Sequence, residues 1–290
     1  MDRTELTPQD IEALERAFTL LESPSIVAKL TNIVGKPLES VLNRLPDSAG
    51  RRVHSAVQGA LSKSVRVALG SLRDTPNTSA STRSHTLMSA ASGAAGGFFG
   101  FTGLLVELPV TTTIMLRSIA DIARSEGFSL QDPTVAQDCV AVFALGGPGR
   151  EDDASETGYY ATRAMLNEVL KQTAAVLTKG AAASAGQQGV SAVSATKAGV
   201  WLAKMIEAVA SRFGVVITHK FAAQLVPVIG AASGAAVNAM FIRHYQDMAR
   251  GHFTIRRLEE VYGAEAVHAA YAGLSRPVEV KATRRLDAPV

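Results

Sequence analysis

Glu107 is the side chain whose setting most invites chemistry. It is the sole charged residue in the thirty from Leu87 to Leu116, and it stands two positions before Pro109. A carboxylate in such a run must either meet a cation, for which Arg117, Lys220 and Arg243 are available, or accept a raised pKa. In the second case it could work as a general acid or base, with His85 or His252 as the nearby titrating group, as in a hydrolase. Asn238 is the corresponding polar residue in a second uncharged run, Phe221 to Ile242, and suits hydrogen bonding between helices.

A charged pattern follows each uncharged run. Arg117, Asp121 and Arg124 spell RxxxDxAR, and Arg243, Asp247 and Arg250 spell it again. Spacings of four and three place the three groups on one helix face, so each set can form an ion-pair ladder directed at the other ladder or at lipid headgroups. The hexapeptide AASGAA likewise occurs twice, at 90–95 and 231–236.

Other chemistries find little footing. Ser194 and Lys197 form an SxxK without the SDN or KTG partners of serine acylases, and no GxSxG is present. Glu265 and His268 make the one ExxH, where helical di-iron sites need two. Gly146 to Arg150 lacks the GKS or GKT ending of a phosphate loop and runs into acidic residues. With Cys139 as the single cysteine, a disulfide framework and cysteine-based zinc are excluded, and a reducing compartment fits. No metal and no cofactor is expected.

The elements that must carry these residues read as helices throughout. Apolar residues make up 47% of the chain but aromatics only 6%, so the apolar content is small-sided and suits closely packed helices. Thr7 and Pro8 signal a helix start, and a second start falls near Ser25 before a break at Gly35 to Pro37. From Arg51 to Arg73 the residues Val53, Val57, Leu61, Val65, Ala68 and Leu72 share a face, with Lys63, Arg66 and Arg73 opposite, a basic amphipathic helix able to meet an anionic membrane. Asp74 to Ser84 reads as a linker and Gly146 to Gly158 as a polar loop. Helical patterns cover Tyr159 to Leu177 and Trp201 to Lys220. No stretch alternates with period two, so no strand is needed.

Gly93, Gly97, Gly100 and Gly103, and Gly230 with Gly234, recur at helical spacing and would let another backbone approach closely. Both uncharged runs reach the twenty or so residues that cross a bilayer, yet Pro109 and Pro227 interrupt them. Burial in a bundle, entry into lipid as a hairpin, and a full span all remain open. Basic residues without interleaved aromatics make nucleic acid a poor partner. The polar start MDRTELTPQDIEALE lacks a secretory pattern, so a cytoplasmic, membrane-associated protein is expected.

Three blocks carry a family likeness: LPVTTTIMLRSIADIARSEGF, the GYYATR at 158–163, and VPVIGAASGAAVNAMFIRHYQDMARGHFTIRRLEEVYG. In the last, Pro227, Gly230, Gly234, Asn238, Arg250, Phe253, Arg257, Leu258 and Tyr262 fit the pattern. Together they resemble the bacterial EcsC protein family, over about residues 85–274, with the first eighty residues outside the likeness. That family is named for a protein encoded beside an ABC exporter. The resemblance implies a helical fold and a tie to membrane transport or secretion, and supplies no catalytic residue. The expectation is an all-α multi-helix bundle in which the two small-residue runs pack together, with an N-terminal helical segment at 1–80, an EcsC-like domain at 85–274 and a basic tail at 275–290. A membrane surface or membrane protein is the expected partner, an ABC transporter among them. A hydrolase, or a soluble binding or scaffold protein, are the alternatives.

Overall fold

The computed structural model describes residues 5–71, 75–96, 100–145, 147, 158–183, 190–224 and 231–275. Arg73, most of the 146–158 loop and the tail from 276 lie outside the described residues, as does the side chain of Arg66. The described chain forms eleven α-helices and a single 3-10 turn, with no strand among the described residues. The all-α expectation holds.

Local chemistry sets the first turns. Helix α1 (Pro8–Leu21) begins where the Thr7 side chain accepts the Asp10 N–H, and α2 (Ile26–Val34) where Ser25 accepts from Ala28. Gly35, at φ 69°, turns the chain into α3 (Lys36–Arg44). The sequence reading stopped at the Gly35 to Pro37 break. A proline in a first turn needs no partner for its missing N–H, so the break is also a start. Helix α4 (Asp47–Ser71) follows.

Four helices form the centre: α5 (Thr82–Gly96), α6 (Gly100–Ser125), and later α9 (Val190–Gln224) and α10 (Ala231–Tyr262). Between the pairs lie α7 (Pro133–Ala141), capped by Asp132, and α8 (Gly158–Ala183); α11 (Ala264–Leu274) closes the described chain. Helices α8 and α9 are longer than the apolar periodicity marks, because alanine propagates a helix without defining an apolar face. The 75–81 segment, read as a linker, is fastened to the end of α6 by the Asn77 N–H on the Arg124 carbonyl at 2.8 Å.

Side-chain contacts fix the register. Ser92 meets Thr111 at 3.3 Å, so α5 and α6 run antiparallel. Asn238 reaches the Ser89 carbonyl while Gln246 reaches that of Thr82, so α5 and α10 are also antiparallel. Lys220 meets Glu107 at 3.0 Å, and because Phe213 packs on Tyr245 while Lys220 lies over Phe241, α9 runs antiparallel to α10. The end of α5, the start of α6, the end of α9 and the start of α10 therefore lie at the same end of the bundle.

The remaining helices cover this centre. Helix α4 buries Val53, Val57, Ala60, Leu61, Val65 and Ala68 against α6 and α9, while Lys63 is exposed. Each such valine or leucine contributes about 1.5–3 kcal/mol. The apolar face that could have lain on a membrane is thus consumed by the protein's own core. Helix α1 crosses α10 so closely that a Cβ on Gly251 would come within 2.5 Å of Leu21 Cγ. One core cluster joins Leu14, Leu30, Leu38 and Leu61 from the first eighty residues to Phe143, Phe213, Tyr245 and Phe253.

Candidate functional site

The two uncharged runs meet as helices, and the contact is made by the two AASGAA copies. A Cβ on Gly93 would fall 2.4 Å from the Gly234 carbonyl oxygen and 2.5 Å from Asn238 Nδ2, so only a glycine fits there. One copy ends α5 and the other begins α10. They pack against each other as antiparallel halves of one interface, although in sequence they look like the start of two equivalent units.

Immediately beside this contact sits a polar cluster drawn from all four central helices. Glu107 Oε1 accepts from Lys220 Nζ at 3.0 Å, Asn238 Nδ2 at 2.6 Å and Thr111 Oγ1 at 3.0 Å. Asn238 Nδ2 also donates to the Ser89 carbonyl of α5 at 3.0 Å. Glu107 is 5% exposed, Lys220 1% and Asn238 0%. Burial lowers the Lys220 pKa from its ordinary value, and the charge and hydrogen bond of Glu107 oppose that shift. The ring of Phe241 lies 5.6 Å from the ammonium. Of the cations weighed for Glu107, Lys220 is the one that pairs with it.

This cluster is built to hold a charge in place. Three donors converge on one carboxylate oxygen, and neither His85 nor His252 bonds to it. Thr111, the hydroxyl within reach of the carboxylate, is fully buried. Glu107 Oε2 and Asn238 Oδ1 are buried without a hydrogen-bond partner among the described residues.

His85 belongs to the first RxxxDxAR pattern. Its Nε2 lies 3.7 Å from Asp121 Oδ2, and Asp121 also accepts from Arg124 and from the Ser81 N–H that precedes α5. Burial lowers the His85 pKa, Asp121 opposes the shift, and Arg117 reinforces it. In the second pattern Arg250 pairs with Asp247 at 2.9 Å, and Arg243 is exposed. The ladders are not directed at each other. Asp121 turns to the start of α5, whereas Arg243, Asp247 and Arg250 line a cleft of about 540 Å³ between α5 and α10. Gln246 sits between the two patterns and ties three helices, donating to Thr82 O, Thr86 Oγ1 and Ser118 Oγ.

His252 lies in another buried network. Its Nδ1 is 3.0 Å from the Tyr159 hydroxyl and its Nε2 3.5 Å from Asp138 Oδ1. Burial works to raise the Asp138 pKa, but the hydrogen bond and charge of His252, with Arg256 and Arg163, carry it below the ordinary value. Arg163 forks onto Glu259 at 2.6 and 2.9 Å and lies over the Tyr159 and Tyr160 rings at 5.4 and 5.5 Å. Tyr271 donates to Glu22 at 2.8 Å, which brings α1 and α11 into the same network. Sequence reasoning quoted GYYATR but assigned it no role, because Glu259 and Glu22, its partners, lie far away along the chain.

Among the described residues, no group of three or more His, Cys, Asp or Glu converges as a metal site, and no helix is long and apolar enough to cross a membrane. The pattern of the EcsC protein family matches residues 9–258. The chain belongs to the EcsC protein family. No curated protein matches it, and no solved structure does. The family match begins in α1, so residues 9–80 fall inside the EcsC region, in keeping with the core they share with the rest. It ends within α10, before the 274 boundary expected from the motifs. As an EcsC protein, the chain places Glu107, Gly93, Gly234 and Asn238 at the junction of its two helical hairpins.

Proposed function

We propose that this EcsC protein acts at a membrane surface without catalysing a reaction, docking through the end of the bundle where α5 and α9 end and α6 and α10 begin. The supporting observation is the convergence of four helix ends beyond the buried ion pair. Gly96, Gly100, Gln224 and Ala231 all lie within seven residues of Gly93, Glu107, Lys220 or Asn238, or about 11 Å along a helix. The sequence from Thr86 to Val106 and from Phe221 to Ile242 holds no charge. Uncharged stretches of this length suit contact with a bilayer interface. Glu107 serves in this reading as a lock between hairpins, with Lys220 as its counter-charge. The family's link to exporters makes a membrane protein in that bilayer the natural partner.

Vesicle flotation tests the docking. The full chain is expected to float with phosphatidylcholine vesicles containing phosphatidylglycerol, and a Phe98→Glu, Phe99→Glu variant to float at least tenfold less. A wild-type chain left at the bottom of the gradient at low salt would overturn the reading.

A further inference from the structure

The cleft between α5 and α10 has two unlike halves. Nearest the hairpin connections it is lined by Leu87, Ala90 and Ala239, and Leu87 is 73% exposed. One to three turns farther away it is lined by Arg83, Arg243 and Arg250, with Asp247 beside them. Because the helices run antiparallel, Ala90 faces the level of Ala239 and Arg83 that of Gln246 and Asp247. The arginines therefore follow the apolar lining along the cleft, Arg83 one turn beyond Leu87 and seven residues, about 10 Å, beyond Ala90.

Charge in the cleft is unbalanced. Three arginines face one carboxylate, and Lys29 of α2 is close enough to act on that same Asp247. Arg250 is hydrogen-bonded to Asp247, and Arg243 acts on the same carboxylate through its charge alone; Arg83 and Arg243 are exposed and their guanidinium groups make no hydrogen bond with the described residues. Gln246, 4% exposed, fixes the floor by holding Thr82, Thr86 and Ser118 together. A floor held by Gln246, two guanidinium forks with no hydrogen-bond partner and an apolar lining of Leu87, Ala90 and Ala239 suit an amphiphile with an anionic head.

The geometry points to a binding site for one anionic phospholipid, its phosphate between Arg83 and Arg243 and its glycerol and first acyl carbons along Leu87, Ala90 and Ala239. This rests on the membrane-surface reading and gives it a ligand. Orientation follows from the cleft: with the hairpin connections toward the bilayer, the arginines stand at headgroup level and the apolar half points to the acyl region.

The test uses a lipid that needs no bilayer. Dihexanoylphosphatidylglycerol, kept below its micelle concentration, is titrated into the full chain by calorimetry. Dihexanoylphosphatidylcholine, glycerophosphoglycerol and inorganic phosphate are titrated in parallel. Saturable binding of the anionic lipid is expected, at least tenfold tighter than that of the other three. It should weaken at least tenfold in Arg83→Ala, Arg243→Ala, both exposed positions, with helical content unchanged by circular dichroism. Leu87→Gln should weaken the lipid but not glycerophosphoglycerol. No saturable binding, equal affinity for inorganic phosphate, or affinity unchanged by the arginine variant would each overturn the lipid site. The two ideas fail separately: flotation without binding of the monomeric lipid leaves docking and removes the site, while the reverse leaves the site and removes docking.

Discussion

Replacing Glu107 by Gln leaves the Lys220 ammonium with a neutral amide in a closed core. Breaking a buried pair from one side costs about 3–5 kcal/mol, since the remaining charge is desolvated without compensation. The expected outcome is a loss of that size in urea denaturation for Glu107→Gln, largely reversed when Glu107→Met and Lys220→Met are combined. His85 gives a pH signature. Its folded-state pKa lies below 6.5 because burial disfavours the imidazolium, so the unfolded chain takes up the proton first as pH falls. Stability is accordingly complete above 6.5 and declines as pH drops from there through the folded-state value. Denaturant midpoints measured across pH 5 to 8 should show this slope, and His85→Gln should flatten it. Individual residues were legible unevenly. Glu107 and Asn238 stood out because each is a polar anomaly in an apolar run. Lys220 was only one of three cations within consideration, since spacing along a chain does not say which of several basic groups a bundle will turn inward.

At the level of helices, the Gly93–Gly234 approach sets how near α5 and α10 can lie. Gly93→Ala puts a methyl group against a backbone carbonyl that cannot rotate away, and the pair must separate. A loss of roughly 1–3 kcal/mol is expected from overpacking of this kind, read as a lowered thermal midpoint, with Gly273→Ala, which meets open space, as the neutral control. Helix type was readable wherever apolar residues kept a 3.6 period, as in α1 and α4, and where Thr7, Ser25 and Pro8 marked starts. Helix extent was not readable in α8 and α9, where small side chains erase the period. The destination of the α4 apolar face was also hidden, because a face that seals a core and a face that lies on lipid have the same pattern. The paired ladders illustrate a further limit: identical RxxxDxAR spacing gives Asp121 a role at the start of α5 and Asp247 a place in an open cleft.

For the molecule as a whole, the shared core decides what can be cut away. A fragment of residues 85–274 would expose the surfaces of α6 and α9 that α4 covers and the surface of α10 that α1 covers. It is expected to bind a hydrophobic dye and lack a cooperative thermal transition, whereas residues 5–275 should melt as one unit. A stable, cooperatively folded 85–274 fragment would contradict the single core. The motifs pointed to a boundary near residue 85 because that is where recognisable blocks begin. Recognisable sequence and independent folding are different properties, and the helices without motifs are the ones that close this core.

The lock at Glu107 also bears on the order in which the protein is made. Its partners Lys220 and Asn238 lie 113 and 131 residues farther along. While the ribosome is still extending α8, the first hairpin has been completed with an acid that nothing yet neutralises. Until Lys220 and Asn238 emerge, Glu107 must stay in water or hold a proton, so assembly of the centre waits for α10 to be translated.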